Sequence, residues 1–255
     1  MILPVNQFKR GLREGRQQIG LWNSIPGPVV AEMIAGTGFD WITIDTEHSL
    51  TDIPDTLGML QAMAPYPVSP VVRPQSQDPA LIKRLLDFGA QTLMIPYVQS
   101  ADEARALVAA MRYAPRGFRG VAGGTRASRF GQVADYMARA EEELCLIVQI
   151  ETREAVAAIE DIAAVDGVDA LFIGPADLAA SLGHPGNQSH PEVEAVIKAA
   201  IQRIVAVGKP AGILTVDQEF ARKCIGWGTK VTAVGVDLWL LSAAARGLAT
   251  SFRQG

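Results

Sequence analysis

Eight short β-rich runs recur along the chain, each followed by a segment of helical periodicity, and this alternation limits the fold more than any other feature. The runs are IGLW from position 19, WITID from 41, VSPVVR from 68, TLMIP from 92, CLIVQIE from 145, ALFIG from 170, PAGIL from 210 and VTAVGVD from 231. They are close to continuously apolar, as expected of parallel strands covered on both faces. The intervening segments carry helix punctuation. Asp78 precedes Pro79 at one start, Ser100 and Glu103 are spaced as a capping box at another, and Gly89 and Gly208 stand where helices should end. Eight such units within 255 residues predict one α/β domain spanning 1–255, a (β/α)8 TIM barrel. A doubly wound open sheet is the alternative, but no Gly-x-Gly-x-x-Gly follows the first strand, where a dinucleotide would bind.

Composition excludes several classes of function. The net charge is −4, and lysines and arginines are interleaved with acids rather than gathered into a stripe, which argues against nucleic acid as a partner. Two cysteines, Cys145 and Cys224, are too few for a disulfide framework and suit a reducing cytoplasm. The opening MILPVNQFKRGLREG lacks the apolar core of a secretory signal, and no run reaches the roughly 18 apolar residues of a membrane span. The expectation is a soluble cytoplasmic protein with no membrane partner.

The fifth run, LCLIVQIETREAV from 144, admits Gln149 and Glu151 at its end. Side chains of a strand alternate, so both share one face with Cys145 and Ile147. A buried carboxylate needs a cation, which suggests a metal or an ion pair. Barrel chemistry sits at the C-terminal ends of the strands, and there the sequence places Asp45, Glu47, His48, Arg73, Gln149, Glu151 and Asp177. Glu151 and Asp177 lie one strand-helix-strand unit apart and should face one small space, where two carboxylates repel unless a cation lies between them. Oxygen ligands without a His or Cys cluster suit a hard divalent ion, Mg²⁺ or Mn²⁺, with Co²⁺ as a third candidate. His184 and His190 fall in a loop and at a helix start, as bystanders.

Other chemistries find little support. Lys209 and Lys230 precede their strands and Lys9, Lys83, Lys198 and Lys223 fall in helical segments, so no lysine is expected at the rim for a Schiff base. No Gly-x-Ser-x-Gly elbow occurs. The long stretch 97–144 carries Arg116, Arg119, Arg126 and Arg129 beside Gly120, Gly123 and Gly124; it reads either as a lid for an anionic substrate or as a solvated insertion. The final helical stretch, LWLLSAAARGLA from 238, is apolar on almost every face. Such a helix must be covered on all sides, by a neighbouring subunit in a homo-oligomer or by the chain's own termini.

IDTEHS, PVVRP, IVQIET and FIGPADL follow one another in order, with RYAPRGFRG, HPEV and TAVGVD between and after them. On these motifs the chain resembles, over nearly its whole length, the metal-dependent class II pyruvate aldolases typified by 4-hydroxy-2-oxoheptanedioate aldolase and 2-dehydro-3-deoxyglucarate aldolase. The resemblance implies reversible cleavage of a 4-hydroxy-2-oxo acid to pyruvate and an aldehyde through a metal-stabilised enolate. It further implies Glu151 and Asp177 as metal ligands, Arg73 as the group polarising the keto oxygen, His48 with Asp45 as an acid/base dyad, and Gln149 as a substrate contact. Backbone N–H groups near Gly174, Ala176 and Asp177 would hold the pyruvate carboxylate, and helix exchange between barrels would give a hexamer. The chain departs from the family pattern in GVAGGTRASRF, a stretch that bears on acceptor preference. An oxaloacetate decarboxylase would use the same enolate, and a barrel that binds an acidic metabolite without turnover is the alternative of another class.

Overall fold

A computed structural model describes residues 1–253 of the chain. The eight strands are β1 (Gln18–Asn23), β2 (Trp41–Asp45), β3 (Ser69–Arg73), β4 (Thr92–Ile95), β5 (Cys145–Ile150), β6 (Ala170–Ile173), β7 (Ala211–Leu214) and β8 (Thr229–Val236). They pair in parallel and in chain order, with β8 returning to β1 to close the barrel. The eight expected runs coincide with these strands to within a residue or two.

Twofold alternation along the strands divides the core in two. Cys145 and Ile147 of β5 point into the barrel with Trp22, Trp41, Val71, Met94 and Phe172. Leu146, Val148 and Ile150 of the same strand point outward into the layer shared with the helices. Four aromatic rings fill the lower barrel: Trp41 lies edge-on to Phe8, Trp22 and Phe172 at centroid distances of 5.8, 6.4 and 6.3 Å. Two glycines make room for them. A Cβ on Gly20 would stand 2.1 Å from the Trp41 ring, and one on Gly212 would stand 2.4 Å from Phe172.

The helices start where the sequence places caps. Asp78 accepts the Ala80 N–H to begin α4 (Pro79–Asp87). Ser100 accepts the Glu103 N–H to begin α5 (Ala101–Met111), while the Glu103 carboxylate reaches back to the N–H of Gln99 rather than to that of Ser100. Gly89 and Gly208 follow helix ends at φ of 90° and 77°, backbone that favours glycine.

The barrel floor is closed by α1 (Gln7–Arg13), which inserts Phe8 and Leu12 beneath the rings. Asn6 caps that helix and also donates to Thr92 Oγ1 at 2.9 Å, and Lys9 donates to the Leu144 carbonyl. The arginine- and glycine-rich part of the long stretch, 116–131, belongs to this lower end as well, which sets aside the lid reading and leaves that of an insertion. Arg126 donates to the carbonyl of Phe88, beyond the end of α4 and remote from the catalytic rim. Arg119 is buried against Asp87, and Arg116 pairs with Glu141 and Asp166. Ala127, Val133 and Tyr136 pack on Leu3. The arginines are consumed in holding an insertion against the floor, so none of these three is free for an anionic substrate of its own barrel.

The last helix, α12 (Asp237–Ser251), is solvent-exposed from Leu238 onward. Trp239 is 56% and Leu241 61% exposed, so the described residues of the chain's own termini do not cover them.

Phe8 is fully buried and ends a stack of aromatic rings, so truncating it opens a cavity that the rigid barrel cannot collapse. Phe8→Ala is expected to lower the unfolding free energy by about 3–5 kcal/mol, measured by urea denaturation; a loss under about 1 kcal/mol would show that α1 is not the floor of the barrel.

Candidate active site

At the C-terminal end of the barrel a cavity of about 640 Å³ opens between the aromatic stack and the loops that follow β5 to β8. Its inner end is built on neighbouring strand ends. Asp45 and Arg73 are paired residues of the β2–β3 ladder, and the guanidinium grips the carboxylate with two bonds, Nε to Oδ1 and Nη2 to Oδ2, each 2.9 Å. Nη1 of Arg73 lies 2.8 Å from Glu47 Oε2. Three of the five guanidinium N–H groups are thereby engaged, leaving one on each terminal nitrogen. The guanidinium carbon stands 5.0 Å over the Trp22 ring. Burial alone would raise the Asp45 carboxyl, but the bonds and charge of Arg73 override it and hold Asp45 below the usual carboxylate value.

Glu151 follows β5 directly and is 2% exposed. Its Oε1 accepts from Gln149 Nε2 at 2.8 Å and its Oε2 accepts from the Tyr97 N–H at 3.0 Å. Tyr97 holds that N–H in place from a left-handed backbone, φ 57°, uncommon for an aromatic residue. Burial pushes Glu151 up to about 7; the Tyr97 bond opposes the shift and repulsion from Asp177 and Glu47 adds to it. Glu47 is raised too, by burial first, against the attraction of Arg73. Gln149 Oε1 is buried without a hydrogen-bond partner.

Asp177 stands in the first turn of α9 (Pro175–Ser181), whose N-cap is Gly174. A Cβ on Gly174 would lie 2.2 Å from Glu151 Oε1, so only glycine admits that carboxylate. The Gly174 N–H already donates to the Ile150 carbonyl at 3.3 Å, which removes it from the group expected to hold a carboxylate. Pro175 has no N–H, and no side chain caps the helix. The N–H groups of Ala176 and Asp177 are therefore the ones this turn offers.

His48 departs from its expected pairing. Asp45 touches it only through the backbone N–H, at 3.4 Å, because its carboxylate is occupied by Arg73. The carboxylate facing the ring is Glu47, with Oε1 3.8 Å from Nε2, and the His48 side chain is 67% exposed. The carboxylate nearest the ring is therefore Glu47 rather than Asp45.

Sequence reasoning brought Asp45, His48, Arg73, Gln149, Glu151, Ala176 and Asp177 to one cavity, and all seven line it. It gave no role to Glu47, Trp22 or Tyr97, and it left the rim without a lysine. Lys223 of α11 (Gln218–Trp227) does line the outer cavity, exposed and 3.3 Å from Glu194. A signal for Glu47 was present, since a loop that places both Asp45 and His48 at a rim carries the residue between them to the same place.

The donor set fits a hard divalent cation. Repulsion from Asp177 adds to the cost of ionising Glu151, the Gln149 amide oxygen has no partner, and Arg73 is already committed to other carboxylates. Among the described residues, the one group of three or more His, Cys, Asp or Glu with donor atoms mutually within 4.8 Å lies elsewhere, at His184, His190 and Glu192. There His184 Nε2 is 2.9 Å from Glu192, and the His190 ring stacks on His184 while its Nδ1 accepts the Glu192 N–H, capping α10 (Pro191–Ala206). These contacts tie a loop to a helix.

The model of the family described as HpcH/HpaI aldolase/citrate lyase matches residues 18–244. A pyruvate aldolase of Rhizobium etli is 60% identical over 252 residues, covering 99% of each chain. A 4-hydroxy-2-oxo-heptane-1,7-dioate aldolase of Klebsiella pneumoniae is 52% identical, over 97% of this chain and 94% of its own. A crystal structure of an HpcH/HpaI aldolase/citrate lyase family protein from Burkholderia cenocepacia superposes with a TM-score of 0.93 at 40% identity, over 97% of this chain and 99% of that one.

Glu151 titrates near 7 when folded and near its ordinary 4.5 when unfolded. The folded chain thus holds the extra proton, and the associated stability is complete below about pH 4.5 and lost as pH rises through about 7. In chelator-treated protein this loss should be on the order of 3 kcal/mol, read as a fall in melting temperature between pH 5 and pH 8 that Glu151→Gln flattens. An equal fall in Glu151→Gln would assign it to other groups.

Proposed function

The chain belongs to the HpcH/HpaI aldolase/citrate lyase family, and from that premise we propose that this carbon–carbon lyase reversibly cleaves a 4-hydroxy-2-oxo acid to pyruvate and an aldehyde. The observation that carries the reading is Glu151, whose burial, with repulsion from Asp177 and Glu47, pushes its carboxyl up to about 7, so that a cation is needed to hold it fully ionised at neutral pH. Glu151 and Asp177 would hold a divalent metal, Mg²⁺, Mn²⁺ or Co²⁺, which when bound acts as a Lewis acid toward the keto oxygen.

The chain's own groups divide the remaining work. The two unengaged N–H groups of Arg73 face the oxygen on which charge develops as the C3–C4 bond breaks and its electron pair moves toward the C2 carbonyl. The N–H groups of Ala176 and Asp177 orient the pyruvate carboxylate at the start of α9, and Gln149 turns its free amide atom to the substrate. His48 takes the proton from the 4-hydroxyl as the aldehyde forms, with Glu47 stabilising the charged ring. A proton returned to C3 of the enolate completes the pyruvate methyl group, and the exposure of His48 lets that proton exchange with solvent. Trp22 and Phe172 form the apolar base that keeps water from the new carbanion.

Arg73→Ala should depress both aldol cleavage and the exchange of pyruvate methyl protons with solvent, by roughly 10²- to 10³-fold. Arg73→Lys should restore little, because an ammonium cannot reproduce the fork that meets Asp45 and Glu47 together. His48→Ala should keep metal affinity, measured calorimetrically, while slowing cleavage by roughly 10²- to 10⁴-fold. Glu151→Gln should weaken metal binding itself. Full aldol activity after exhaustive chelation would sink the metal assignment, and decarboxylation of oxaloacetate without aldol activity would favour the decarboxylase.

The exposed apolar length of α12 supports a second part of the reading, that another copy of the chain covers it in a homo-oligomer, a hexamer with helices exchanged between barrels. The free cysteines Cys145 and Cys224 support a cytoplasmic setting. Light scattering at micromolar concentration should return a multiple of the 27.2 kDa chain; a monomeric mass would refute the assembly.

A further inference from the structure

The cavity is far larger than pyruvate requires, and its two ends differ in chemistry. The inner end holds Arg73, Gln149, Glu151 and Asp177. The outer end is walled by β7, by the loop and helix that follow it, and by the starts of α10 and α12, which bring Glu194, Asp217, Glu219, Lys223, Phe220 and Trp239 to the opening. Three carboxylates stand there against one ammonium.

That ammonium is already answered. Lys223 lies 3.3 Å from Glu194 across the gap between α10 and α11, and Glu219 precedes it by four residues, on the same face of α11. Asp217 caps α11, accepting the N–H groups of Glu219 at 2.9 Å and Phe220 at 3.1 Å, so the positive end of that helix is neutralised before an incoming anion could use it. Arg116, Arg119 and Arg126 are bound at the other end of the barrel, and Arg73 is gripped by Asp45 and Glu47 at the inner end. A second carboxylate on the acceptor would meet net negative charge with no free cation from the described residues of its own barrel. The apolar faces of Leu214, Phe220 and Trp239 suit the carbon chain of a neutral molecule.

We propose that the outer half of the cavity is an acceptor subsite for an uncharged aldehyde, and that Glu194, Asp217 and Glu219 set this preference by repelling aldehydes that carry a carboxylate. The proposal rests on the pyruvate aldolase reading and specifies its acceptor class. The mechanism is long-range repulsion between solvent-accessible charges, so it responds to salt. Asp217→Asn keeps an N-cap while removing charge, and Glu219→Gln preserves shape.

The experiment compares two four-carbon aldehydes, butanal and succinic semialdehyde, each with pyruvate and the metal-loaded enzyme, by kcat/KM. Wild type should favour butanal by about tenfold at low salt, and the ratio should shrink toward one near 1 M salt, where the screening length is about 3 Å. Glu219→Gln with Asp217→Asn should narrow the ratio by about 3- to 10-fold at low salt, by raising the rate with succinic semialdehyde. Pyruvate methyl-proton exchange, measured in the same wild-type preparation, reports separately on the enolate reading: its absence would sink that reading. Three outcomes would overturn the acceptor proposal while exchange persists. They are a wild-type preference for succinic semialdehyde, a ratio that neither salt nor the double variant moves, and turnover of neither aldehyde.

Discussion

Arg73 is the cation on which the catalytic end of the barrel depends. Asp45 and Glu47 would repel each other and the two carboxylates across the mouth if the guanidinium were absent, and burial would drive protons onto them. With Arg73 in place Asp45 stays ionised, the ends of β2 and β3 are joined by a fork of two bonds, and the loop carrying Glu47 and His48 has a fixed origin. The guanidinium in turn rests on Trp22. Its planar shape satisfies all three neighbours at once, which a lysine's point charge could not do.

Glu151 has no such counter-ion, and the contrast between it and Asp45 organises the chemistry. Both carboxylates end adjacent regions of one rim and both are nearly inaccessible, yet one is held ionised and the other is pushed toward neutrality. The difference lies in their neighbours rather than in their burial. A barrel can maintain this asymmetry because its strand ends are fixed by a rigid interior, where Gly20 and Gly212 give up their own side chains so that aromatic rings can fill the space below.

The strands and the identity of the rim were legible because both follow from periodicity. A closed parallel barrel shows apolar runs at regular spacing, and a polar pair two positions apart, such as Gln149 and Glu151, can only mark the strand's inner end. What escaped depends on which of several partners a side chain takes. Asp45 stands three residues from His48 and pairs instead with Arg73, because neighbouring strands bring that guanidinium closer than the turn brings the imidazole. Lys223 looked remote because it lies in a helix, but α11 begins at the catalytic end and its second turn still reaches the opening. The choice between lid and insertion for 116–131 was open for a related reason: glycines and arginines describe a loop that binds something, and here they bind carbonyl groups, carboxylates and helix ends at the barrel floor. The N–H of Tyr97, aimed at Glu151 by a backbone conformation, left no trace in residue type.

Asp237 anchors the start of α12 by accepting from Asn23, Ser24, Ile25 and Leu238. The next two residues, Leu238 and Trp239, form part of the cavity wall. Fifteen residues of helix extend roughly 22 Å from that buried carboxylate. Leu238 and Trp239 thus belong at once to the wall of the opening and to the exposed apolar face of α12, so one helix is shared between the cavity and the outer surface.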